Sequence, residues 1–163
     1  MDKGSALVGA ILLIMCLAPF LIIRFYNLRK KNKMMQTLRR IANENRCKIG
    51  HHEFCGNIVI GFDENNKYVF FHNYKIEQAV SEYVELAEIK ACQLVKKTRN
   101  TSNKSYNIDI IERLELSFIT SNKVKEPIQW IVFEEDVNNQ IVNELVFAEK
   151  WVKEINKCLK SMR

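Results

Sequence analysis

Apolar and polar positions change their spacing three times along this chain. Ser5 to Ile23 (SALVGAILLIMCLAPFLII) is a 19-residue run without a charge. A helix of that length is about 28 Å long, close to the ~30 Å hydrocarbon thickness of a bilayer. Gly9 and Pro19 are tolerated in spanning helices. Residues 24–46 (RFYNLRKKNKMMQTLRRIANENR) carry a sparser stripe. Met34, Leu38 and Ile41 are spaced i, i+4, i+7, one face of a helix that continues from the membrane or lies along it.

From Cys47 the period falls to two, which predicts strands. His51–Phe54 and Gly56–Phe62 read as short strands broken at Gly56. The polar turn Asp63–Asn66 then joins Gly56–Phe62 to Lys67–His72 as a hairpin. Glu82–Leu86 and Ile89–Lys97 read as further strands, the latter with Ile89, Ala91, Gln93 and Val95 on one face. Thr98–Ser105 (TRNTSNKS) reads as a flexible loop. Tyr106–Thr120 is the longest strand run, with a slip near Glu112, and after a turn at Asn122–Glu126, Pro127 opens Ile128–Phe133. The last change restores period 3.6. Asn138 or Asn139 caps a helix to about Lys160, with Ile141, Leu145, Ala148, Val152, Ile155 and Leu159 on its apolar face. The sheet is its only candidate partner. The predicted class is α+β, with a transmembrane helix (5–23), a basic helical connector (24–46) and one soluble domain (47–163) of about seven antiparallel strands capped by a C-terminal helix.

Charge sharpens this division. The formal net charge is +6. Residues 24–48 hold nine Lys/Arg against Glu44 alone, whereas residues 49–163 hold 15 Lys/Arg against 17 Asp/Glu. The excess therefore sits beside the apolar run, where membrane topology and anionic lipid explain it. The slightly acidic domain argues against a nucleic-acid reader. Arg24, Arg29, Lys30, Lys31, Lys33, Arg39 and Arg40 follow the run and only Lys3 precedes it, so the positive-inside bias places the N-terminus outside and the domain in the cytoplasm. These seven cations are the candidate membrane-surface contacts. One reading makes the connector a spacer whose stripe packs on the domain; the other adds a grip on anionic headgroups. A cleaved signal peptide is the rival to a retained helix. It fits less well, because the n-region holds Lys3 beside Asp2 and the run ends Phe20-Leu21-Ile22-Ile23-Arg24 with no small-x-small site.

The stretches Ile60-Gly61-Phe62-Asp63-Glu64-Asn65-Asn66-Lys67 and Val84-Glu85-Leu86-Ala87-Glu88-Ile89-Lys90-Ala91-Cys92, with the helix around Trp151, resemble a pleckstrin-homology-like fold. The two stretches are also similar to a group of membrane-anchored proteins from Bacteroidetes-type bacteria. The resemblance covers about residues 34–163. It implies a bent sheet or open barrel plugged by its last helix, a scaffold for lipids, peptides or partners, and it brings no activity with it.

Candidate chemistry is sparse. Cys47-x3-His51-His52-x2-Cys55 gathers four soft ligands, but along an extended strand its two cysteines lie about 26 Å apart, too far to share a zinc ion. Asp63-Glu64-Asn65-Asn66 opens like a calcium loop, yet Tyr68 and Tyr74 stand where an EF-hand needs Gly and Glu. Glu134-Glu135-Asp136 suits the N-terminal dipole of the final helix. His72 ends its strand at an exposed position. Lys96, Lys97, Arg99 and Lys104 could form a basic pocket for lipid headgroups, against the acidic balance of the domain. The cysteines read as free thiols. No phosphate-loop, dinucleotide, nucleophile-elbow or zinc-protease motif occurs. The expectation is a membrane-tethered, non-catalytic binding module with no cofactor, its partners the bilayer and a protein, a second copy of the chain included. The alternatives are a membrane-bound enzyme with an unrecognised cleft and an anionic-headgroup binder.

Overall fold

The computed structural model describes residues 3–74, 79–103, 106–121, 126–135 and 141–162. The first helix, α1 (Lys3–Glu44), is unbroken from the apolar run through the connector. At ~1.5 Å per residue its 42 residues extend about 63 Å. It ends in a tight reversal. Cys47 N–H donates to Ala42 O (2.8 Å) and Arg46 N–H to Asn43 O (2.9 Å), with Arg46 left-handed at φ 57°. This is a Schellman cap with arginine where glycine is usual.

Four strands follow as a meander: β1 (Ile49–Cys55), β2 (Ile58–Asp63), β3 (Tyr68–Asn73) and β4 (Val80–Glu85), in the order β1-β2-β3-β4. The β1–β2 turn is two residues long, and Gly56 takes φ 55°. Only glycine adopts that angle without strain, which explains the break at this position. In the next turn Asp63 is 3% exposed. Its Oδ1 accepts Lys67 N–H (2.6 Å) and Tyr68 N–H (2.8 Å), and its Oδ2 accepts Asn65 N–H (3.1 Å). The acid opening this turn is a buried hydrogen-bond hub rather than a residue of a solvated turn.

A single 3₁₀ turn (Leu86–Glu88) leads to the second sheet, β5 (Ile89–Asn103), β6 (Tyr106–Thr120) and β7 (Ile128–Glu134), in the order β5-β6-β7. The whole is therefore α+β: a long apolar N-terminal helix, antiparallel sheets of four and three strands, and a final helix α2 (Glu144–Ser161).

Several expectations need correction. Thr98–Asn103 is strand, paired with Tyr106–Ile111. Lys104 and Ser105 lie outside the described residues, as do 122–125 of the expected turn. The polar TRNTSN composition does not bar a two-stranded ribbon, because its backbone bonds are satisfied across the hairpin. A register shift lies between the Ile89–Thr120 and Ala91–Ile119 pairs, and it resets the alternation so that Ile89 and Cys92 both face the core. The slip near Glu112 is real: Lys97 pairs with Arg113 and Thr98 with Ile111, leaving Glu112 as the extra residue. The final helix starts at Glu144, not after Asn138 or Asn139, which lie outside the described residues. Asn143 holds the N-cap position without a side-chain cap bond, and the Glu144 carboxylate accepts Val142 N–H (2.8 Å) and Asn143 N–H (3.0 Å).

The central strands of the first sheet, β2 and β3, are buried on both faces. Ile58, Ile60, Phe62, Val69 and Phe71 face a core shared with Leu114, Leu116, Phe118, Trp130 and the α2 residues Phe147, Trp151, Ile155 and Leu159. Trp130 fills its centre, stacked on Phe71 (5.0 Å) and edge-on to Phe118 (4.5 Å). On the other face Val59 and Phe70 pack under Met34, Leu38, Ile41 and Ala42 of α1. The connector stripe is thus a docked element of the domain. The free edge of β5 is covered in part by α2: Asn156 donates Nδ2–H to Cys92 O (2.7 Å) and accepts Cys92 N–H (3.1 Å), so its amide substitutes for a neighbouring strand.

Candidate functional site

The two halves of α1 form the most distinctive surface in the chain. Leu12, Leu13, Ile14, Met15, Leu17, Phe20, Leu21, Ile22 and Ile23 are all exposed, Met15 at 74%. Among the described residues α1 is the one helix long and apolar enough to cross a membrane, and its apolar window has no protein partner. Eleven residues beyond Ile23, Met34 is fully buried, as are Leu38 and Ala42. One continuous helix therefore joins an uncovered apolar segment to a folded domain.

The seven predicted surface cations divide along that helix. Lys30 Nζ contacts Asn57 Oδ1 at the β1–β2 turn, and burial lowers the pKa of its ammonium. Lys31 Nζ lies 5.6 Å from the centre of the Phe54 ring, within cation–π range. Arg24, Arg29, Lys33, Arg39 and Arg40 are exposed, and Arg40 lies 3.9 Å from Glu44. Sequence reading missed the contacts of Lys30 and Lys31 because their partners lie more than twenty residues away.

The remaining candidates do not converge. Cys47 packs against the α1-facing core and Cys55 against the main core. His51 stacks on Trp151 (5.8 Å) and His52 meets Phe54 edge-on (5.5 Å). Among the described residues no group of three His, Cys, Asp or Glu is placed to hold a metal ion. All five cysteines are free thiols. Burial pushes Cys55 up to about 11 and Cys92 up to about 12, which suppresses the reactive thiolate.

His72 is 2% exposed, not surface-accessible as its strand-end position suggested. Its Nδ1 lies 2.8 Å from Ser81 Oγ and 3.2 Å from Val80 O. Nε2 is buried and has no partner among the described residues, so no carboxylate orients the ring as a catalytic triad requires. Burial is the main cause that lowers the His72 pKa.

Three of the hollows among the described residues lie against the domain. A slot of about 120 Å³ between β3–β4 and β7 is lined by Phe71, Asn73, Val80, Glu82, Trp130 and neighbours. It is far below the ~300 Å³ at which small-molecule sites begin. The second is an open cleft on the outer face of β5–β7, where Lys97, Arg99 and Arg113 face Glu112, Glu134 and Glu135. Arg99 pairs with Glu112 and Glu135 (both 3.4 Å), Arg113 with Glu134 (3.7 Å) and with the buried Glu115. Glu134 and Glu135 thus serve this cross-strand charge network instead of the α2 dipole, and Asp136 lies outside the described residues. Lys96 pairs with Glu149 (3.0 Å). The expected basic pocket is therefore neutralised where it is described. The third hollow, open and shallow, lies between α1 and Tyr74, with Lys33 and Arg40 on its rim.

These features describe an α+β domain fused to an apolar helix, with its interior filled by large side chains. No family model matches the chain, and no curated protein or solved structure matches it.

Proposed function

We propose that this chain is a membrane-tethered, non-catalytic binding module. Residues 5–23 cross the cytoplasmic membrane with the N-terminus outside, and a pleckstrin-homology-like domain is presented to a protein partner on the cytoplasmic surface. The observation that carries the reading is the continuity of α1. Its first half exposes a run of apolar side chains that water disfavours at roughly 25 cal/mol per Å², and its second half is locked into the domain. A bilayer is the solvent that relieves the first half without disturbing the second. Four strands, then three, then a helix is the element order on which the pleckstrin-homology-like reading rests.

The rise of the helix narrows the membrane-contacting set. Arg24, Arg29, Lys31 and Lys33 lie ~1.5–15 Å beyond Ile23, within reach of a headgroup layer about 5–8 Å thick. Arg39 and Arg40 lie ~24–26 Å beyond it, about two Debye lengths past that layer at physiological salt. The first group therefore grips anionic lipid, and Arg39 and Arg40 belong to the domain surface. A fixed tether also raises the effective concentration of the domain near other membrane proteins, so a weak contact suffices.

The test is an alkaline wash and chemical crosslinking of membranes from cells that make the full chain. The reading predicts retention in the pellet and a discrete crosslinked species with another protein or a second copy. Release into the supernatant, or a chain that stays uncrosslinked, would overturn it.

A further inference from the structure

α1 first meets the domain at Lys30 and Lys31, ~10–12 Å along its axis beyond Ile23. Their partners, Asn57 and Phe54, mark the β1–β2 end as the end nearest the apolar segment. Register and packing place two further features at the same level. Ile58 pairs with Asn73 and Asn73 with Val80, so Val80 lies in the row beside the turn. A Cβ on Gly56 would stand 3.7 Å from Glu144 Oε1, so α2 begins there as well. From that point α2 leads away from the turn: Lys150 reaches Glu53 (2.8 Å), and Glu154 reaches His51 (3.7 Å), further back along β1.

Exposed apolar side chains concentrate at this end. Outside α1, and among the described residues, the exposed large apolar side chains are Val80, Tyr83, Val142, Val146 and Met162. Val142 and Val146 are by far the most exposed, at 73% and 69%, and both flank the start of α2. Glu144 does not make this end strongly anionic. Its carboxylate is turned back onto the amides of Val142 and Asn143, where the helix N-terminus offsets its charge.

We infer that the domain has a second membrane footing: the N-terminal end of α2, through Val142 and Val146, rests in the headgroup–acyl boundary of the bilayer that α1 crosses. This rests on the reading that residues 5–23 span that bilayer. The occupant follows from height. The β1–β2 end stands only ~10 Å above the hydrocarbon edge, against a headgroup layer of about 5–8 Å, so a side chain's length closes the gap. Valine side chains at such a boundary gain burial, as on the apolar face of an interfacial helix. With α1 on one side and α2 on the other, the domain is held at a fixed face-down orientation instead of swivelling on its stalk.

The test uses the full chain reconstituted into phosphatidylcholine–phosphatidylglycerol vesicles. An environment-sensitive fluorescent amino acid is placed at Val142, at Val146, or at Met162 on the opposite end of α2. The inference predicts blue-shifted emission at 142 and 146 that lipids brominated on their acyl chains quench at least twofold, with water-like, unquenched emission at 162. Vesicle flotation is measured on the same samples. Protein that floats while 142, 146 and 162 behave alike overturns the footing and leaves the anchor standing. Protein that fails to float overturns both.

Discussion

The two halves of α1 have similar helical backbones and opposite fates. From Leu12 to Ile23 nearly every residue is apolar, and nearly every side chain is exposed. From Met34 to Ala42 only five of nine residues are apolar, yet Met34, Leu38 and Ala42 lose all contact with solvent. Apolar density therefore does not determine what a helix buries against. Spacing does. The sparse stripe recurs on one face and finds Val59 and Phe70 of a sheet, whereas the dense run is apolar on every side and suits a solvent that surrounds it.

The largest effect that would break this contrast is expected at Leu38. Leu38→Asp places a carboxylate between α1 and the first sheet with no cation shown beside it. It should cost about 3–5 kcal/mol, read as a fall in the denaturation midpoint of the nanodisc-embedded chain. An unchanged midpoint would mean that the docked half contributes nothing. In the other half, Ile14→Arg should raise the cost of membrane insertion by about 3–4 kcal/mol, measured as the inserted fraction in a translocation assay. The midpoint of the domain should not move, because Ile14 touches nothing in the domain.

Acidification probes the docked half from beneath. The folded-state pKa of His72 is lowered, chiefly by burial and further by Arg40 of α1, although its bond to Val80 O opposes the shift. A base whose pKa is depressed on folding contributes its full stability above the unfolded value of ~6.5, and that stability is lost as pH falls from there toward the folded value. The melting temperature should therefore decline below about pH 6.5, and His72→Gln should flatten that decline. Burial also lowers the pKa of His52, which supplies a residual slope, so only a slope left unchanged by the substitution would assign the decline elsewhere. The smallest effect belongs to the end of the docked half. Arg46→Gly relieves a left-handed arginine at the helix cap and should raise stability by about 0.5–1 kcal/mol in the same melts.

Much of the fold was legible because local pattern and tertiary environment agree. The apolar run, the β2–β3 hairpin around Asp63–Asn66, the Glu112 bulge and the α2 stripe all appear where period and turn chemistry place them. Failures occur where a distant partner decides. Ile58-Val59-Ile60 and Val69-Phe70-Phe71 are continuous apolar runs, the signature of a sheet covered on both faces, but that signal does not say that α1 supplies the second cover. Thr98–Asn103 is polar and still strand, because pairing with β6 satisfies its backbone. Asp63 read as part of a polar turn, His72 as an exposed strand end and Glu134 as a partner of the α2 dipole. Each is instead held by neighbours: backbone amides for Asp63, Ser81 and Val80 for His72, and Arg113 for Glu134. The cations at 24–40 were legible as a cluster, whereas the contacts of Lys30 and Lys31 with the domain needed the fold.

Hydrogen exchange of the full chain in lipid vesicles tests the central claim most directly. The account predicts two protected blocks in one helix, residues 12–23 shielded by hydrocarbon and residues 34–42 shielded by the first sheet, with dissolution of the vesicles in mild detergent leaving the second block intact. Rapid exchange at 12–23 in vesicles, or at 34–42 under any folded condition, would contradict it.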